Sequence, residues 1–112
     1  MYKDIKKKIK SLRIHLVSVC NQLSKQIELK DEIIGFVKHS EEKLNRTLQQ
    51  ENTSRTMIDE LTVKLADDQR LYAECKILIH EFRADIKATK KEIEKSKLKL
   101  HHIIFPQKLA VF

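Results

Sequence analysis

The chain has 112 residues, a formal charge of +7, and a single Gly and a single Pro. An average domain of this length holds about eight Gly and about six Pro. The repeated chain reversals of a sandwich, a barrel or a doubly wound sheet are therefore excluded. Charged residues at 35% beside apolar ones at 41% point instead to an all-α chain built on a long amphipathic helix.

The first segment, 1–13, is basic: Lys3, Lys6, Lys7, Lys8, Lys10 and Arg13 against Asp4 alone. Arg13 and His15 interrupt the Leu12–Val19 stretch and no small-residue cleavage site follows, which argues against a secretory signal. The segment is Lys-rich rather than Arg-rich, unlike a mitochondrial presequence. Lysines at a helix N-terminus oppose the helix dipole. Lys6, Lys7, Lys8 and Lys10 are thus candidates for holding an acidic surface: a microtubule, nucleic acid or anionic lipid. The same run fits a short nuclear import signal. Tyr2 is the only aromatic side chain nearby, so sequence-specific reading of nucleic acid is not expected.

From residue 2 onward the apolar residues keep one seven-residue register. With Tyr2 at heptad position a, the a track is apolar at thirteen of fifteen positions, against about six expected from composition. A strict heptad implies helices that wind around one another. The expected oligomer seam runs through Ile9, Leu16, Leu23, Val37, Leu44 and Ile58, and continues through Leu61, Leu65, Tyr72 and Ile79 to Phe82, Ile86, Ile93 and Leu100. The d track is less regular, with Gln26, Ser40, Thr47, Ser54, Asp68, Thr89 and Ser96 among its members. Asp68 would meet its own copy in a parallel in-register homodimer, which is unfavourable. Extra apolar residues at e (Ile27, Ile34, Leu48) and g (Met57, Leu71, Leu78) widen the stripe beyond what a two-helix seam requires and suit a bundle.

The run from Gln49 to Thr56 holds no apolar residue and puts Glu51 and Ser54 on the seam track. It is the best place for a turn, with Ser54 or Thr56 as cap of a second helix. Two architectures follow. One is a single continuous helix over 1–105 that forms a coiled coil or bundle with other chains. The alternative is an antiparallel helical hairpin with a turn near 49–56. The register carries unbroken from Leu44 to Ile58 and no Gly or Pro marks a bend, which favours the continuous helix. Gly35 sits at an outward f position and weakens the helix without having to break it. Pro106 ends the helix just before itself, leaving 106–112 as a short apolar tail.

Chemistry-bearing motifs are missing. There is no phosphate-cradling Gly-rich loop, nucleophile elbow or metalloprotease helix, so no enzyme and no catalytic residue is expected. Cys75 and His80 are five apart and His101 and His102 adjacent, which is not metal-ligand spacing, and no cofactor is implied. Cys20 and Cys75, two isolated thiols, fit a reducing compartment. No stretch approaches the roughly 18 apolar residues of a membrane span.

The expectation is a non-enzymatic structural coiled-coil protein: a scaffold, spacer or tether that pairs with itself or with other helical chains. Its setting would be cytoplasmic, at the cytoskeleton, centrosome or cilium, with the nucleus also open to it. The alternative is a dimeric binding module whose basic N-terminus holds an acidic polymer or membrane surface.

Overall fold

A computed structural model describes residues 2–50 and 52–105. Among them there are two helices, α1 from Tyr2 to Leu48 and α2 from Arg55 to Ile104, and no strand. The chain is all-α. The preferred continuous helix over 1–105 is not what forms: the chain leaves helical geometry after Leu48 and resumes it at Arg55. The break falls in the segment read as the alternative turn. The tail 106–112, Pro106 included, lies outside the described residues, as does Glu51.

Hydroxyls bridge the break, and no described residue has positive φ. The last turn of α1 tightens, with Gln49 N donating to the carbonyls of Asn45 and Arg46 and Gln50 N to that of Thr47. Thr53 Oγ1 donates to the Thr47 carbonyl at 2.8 Å, a second donor to the acceptor that Gln50 N already reaches at the helix end. Ser54 Oγ accepts from Met57 N at 3.1 Å, the geometry of an N-cap. Of the two candidate caps, Ser54 takes the role. At the far end Phe105 N donates to the His101 carbonyl, and the helix stops two residues before Pro106, whose ring disfavours helical geometry at Phe105.

The described residues fall into two compact units. The turn unit is Ser24–His80. Its two helical segments run antiparallel, because Gln26 bonds Cys75 while Ser40, further along, bonds Asp68, which comes earlier. Ile33, Ser40, Thr47, Leu61, Cys75 and Ile79 are buried there. Val37, Leu44, Ile58, Leu65 and Tyr72 are half-buried.

The terminal unit joins residues 2–23 to 81–105. It is antiparallel too: Lys8 bonds Glu92, and His15 bonds Asp85. Ile9, Val19, Thr89, Ile93 and Ser96 are buried. Ile5, Leu12, Leu16, Leu23, Phe82, Ile86 and Leu100 are half-buried.

Away from the helix ends the a and d tracks of both units face inward, and several small d residues lie deep. Ser40 and Ser96 are each 2% exposed and Cys75 4%. Small side chains at d let two helices approach closely, while the larger a residues flank that line.

Candidate functional site

Two kinds of surface stand out, and each belongs to one unit. In the terminal unit the g positions of both helices line one edge. Lys8, His15, Asp85 and Glu92 all sit at g, and they pair across it. Lys8 Nζ donates to Glu92 Oε1 at 2.7 Å, and His15 Nε2–H donates to both Asp85 oxygens at 3.0 and 3.1 Å. Thr89 Oγ1 donates to Asp85 Oδ1 at 3.0 Å. The His15 and Thr89 donors hold the Asp85 carboxyl below its ordinary value. The Lys8 ammonium does the same for Glu92. These pairs are well hydrated, so they fix register and direction more than they add stability.

The other edge of the same unit is built differently. A groove of about 750 Å³ runs between the two helical segments there. Its cationic lining is Lys6, Lys10, Arg13 and Lys97, with no carboxylate in the wall. Its apolar lining is Ile9 and Leu100, from the seam, with Ile14 and Val17 beside them. Ile14 and Val17 are 62% and 61% exposed. Helical spacing explains the pattern: Lys6, Lys10, Arg13 and Val17 recur at three- and four-residue steps and so form one stripe of α1.

The turn unit uses its polar seam residues on each other. Ser40 Oγ donates to Asp68 Oδ2 at 3.0 Å, and Cys75 Sγ to Gln26 Oε1 at 3.3 Å. Asp68 thus has an intrachain donor on the facing helix. At the g track this unit has no cross-helix ion pair among the described residues, and beside Lys43, Gln50 and Lys64 it carries several apolar residues. Leu29 and Phe36 of α1 and Leu71 and Leu78 of α2 all remain exposed, Phe36 at 59%. Because antiparallel helices set g against g, as the terminal unit's ion pairs do, these four share one edge. Ile77 and Val63, at f, add exposed apolar surface on the outside of α2.

All fourteen residues expected on an oligomer seam are buried or half-buried, and this burial arises within the one chain. The four candidate lysines do not make one patch. Lys6 and Lys10 flank the groove, Lys8 is committed to Glu92 on the opposite edge, and Lys7 is exposed at f. Arg13 and Lys97 complete the groove and were not among the candidates. Their signal was the e track, which also carries Lys6; Lys97 joins it only once α2 is folded back on α1.

Both cysteines are free, Cys20 exposed and Cys75 buried. Among the described residues no three His, Cys, Asp or Glu side chains are grouped to hold a metal ion. No helix among them is long and apolar enough to cross a membrane. No family model, curated protein or solved structure matches the chain.

Proposed function

We propose that the protein is a non-enzymatic structural subunit that assembles with other helices, its own copies or different chains, as a scaffold, spacer or tether of the cytoskeleton. The supporting observation is the g edge of the turn unit. Leu29, Phe36, Leu71 and Leu78 are each at least 38% exposed, beside a seam already closed by a and d. A helix pair that served alone would carry polar residues there, as the terminal unit does at the same heptad position. Contiguous exposed apolar residues on a helical edge are what a further helix covers. Each Leu or Phe so covered contributes about 1.5–3 kcal/mol on full burial.

Light-scattering mass with circular dichroism tests this reading on the purified chain. The expected result is a helical particle heavier than one chain at tens of micromolar. Phe36→Asp with Leu71→Asp returns it to one chain with helicity kept, since neither side chain belongs to the a/d seam. A one-chain mass at every concentration, with cooperative melting in the ordinary range of about 45–65 °C, would sink it: such a hairpin would need no covering helix.

A further inference from the structure

The groove on the terminal unit differs from the g edge in chemistry, and its chemistry specifies an occupant. We propose that it docks one acidic amphipathic helix of a partner chain, a helix with an apolar stripe bordered by Asp and Glu. Four cations border the groove and no anion does. Lys10 and Arg13 have no ion-pair partner among the described residues, and Lys6 lies over the Tyr2 ring at 4.6 Å. Only Lys97 has a nearby carboxylate, Glu94 at 3.4 Å, one turn away on its own helix. On the opposite edge of this unit Lys8 and His15 meet Glu92 and Asp85 across the helix pair. This one is left positive beside Ile14 and Val17, two apolar side chains with most of their surface in water.

The apolar floor decides between anionic partners. Nucleic acid would use the cations but gain nothing from Ile14 and Val17, and no aromatic ring lies in the groove wall to stack a base. A lipid surface is flat, whereas this site is a trough between two helices. A third helix fits such a trough at the 8–10 Å interaxial distance of packed helices and brings both an apolar stripe and flanking carboxylates. From Lys6 to Val17 the trough runs about 16 Å along α1 at 1.5 Å per residue. The docked segment is therefore about three turns long, with acidic residues repeating at three- and four-residue steps to meet Lys6, Lys10 and Arg13. The inference rests on the assembly reading only in taking the partner to be helical; it concerns a different face.

The probe is a labelled three-heptad peptide with Leu at a and d and Glu at e and g, where mutual repulsion keeps it from pairing with itself. Its binding to the full chain is followed by fluorescence anisotropy, beside the same peptide with Lys for Glu. The Glu peptide should bind and the Lys peptide should not. Affinity should fall at least about tenfold in Arg13→Gln with Lys97→Gln, by a similar factor in Ile14→Ser with Val17→Ser, and again between about 50 and about 300 mM salt. Ile14 and Val17 are exposed, so their loss leaves helicity intact, and circular dichroism verifies that. Equal binding of both peptides, or binding indifferent to Ile14→Ser with Val17→Ser, overturns the proposal. So does a higher affinity for phosphatidylserine vesicles or an oligothymidylate that depends on the cations alone. Phe36→Asp with Leu71→Asp should leave peptide binding unchanged. A failure of g-edge assembly and a failure of this groove are therefore read separately.

Discussion

Gly35 is the residue where the sequence and the helix disagree most simply. It lies inside α1, and a Cβ built there meets nothing within 4 Å. Gly in a helix interior costs about 1 kcal/mol relative to Ala, so Gly35→Ala should raise the melting temperature by about 4 °C. Thermal circular dichroism reads this directly, and a lower melting temperature would mean that something packs on that face. Asp85 and Glu92 give the pH dependence. Both carboxyls are held below their ordinary values of 3.8 and 4.5 by their hydrogen-bond donors. A carboxyl whose folded value is depressed contributes stability that is present above its unfolded value and is lost as pH falls toward the folded one. Melting temperature should therefore decline as pH drops below about 4.5. Asp85→Asn with Glu92→Gln should melt slightly lower at neutral pH and show a shallower acid decline. An unchanged slope in that variant would mean that these pairs are not formed in solution.

At the scale of the helices, what matters is that one face of each is used up within the chain. Ile86 lies half-buried at a in the terminal unit, facing the seam that Ile9 and Ile93 bury. Ile86→Asp puts a charge into that largely desolvated line. Amide exchange across 2–23 and 81–105 should accelerate at least about tenfold, and helicity should fall; undiminished protection would refute the inward assignment of the a track. That track was readable from the heptad register alone, since periodicity reports which face of a helix is covered. It does not report by which helix, or in which direction. The frame from Leu44 to Ile58 survives a loop of suitable length as well as it survives a continuous helix, and the hydroxyls of Thr53 and Ser54 that make the loop carry no glycine or proline signature. Polar d residues were equally hidden. Counting apolar residues ranks Ser40, Thr47, Thr89 and Ser96 as flaws in the seam, yet they are among the most buried side chains, because two antiparallel helices approach most closely where side chains are small. The groove was half legible: Lys6, Lys10 and Arg13 lie in a basic segment at helical spacing, while Lys97 acquires meaning only when both helical segments of the terminal unit are paired.

For the molecule as a whole, the balance between covered and uncovered apolar surface decides how it behaves. No described side chain is buried to below 2% exposure, while Phe36, Ile77, Val63, Ile14 and Val17 each leave more than half of their surface in water. Within each unit two helical segments pair without a third, so their a and d residues contribute less than the same residues in a bundle core. Stability should then depend on association. A partner that binds only the folded chain adds RT ln(1 + [L]/Kd), about 2.7 kcal/mol at a hundredfold excess over the dissociation constant, which corresponds to a rise in melting temperature of about 10 °C for a domain of this size. If copies of the chain are that partner, the melting temperature should climb with protein concentration across a hundredfold range. Phe36→Asp with Leu71→Asp should flatten the climb without lowering the value at the dilute end, because these residues are exposed in the single chain. A melting temperature independent of concentration in the unaltered protein would rule out its own copies as the covering helix. The same scan repeated with a candidate acidic coiled-coil chain would then show whether a different partner supplies the missing stability, as a rise that saturates at equimolar addition.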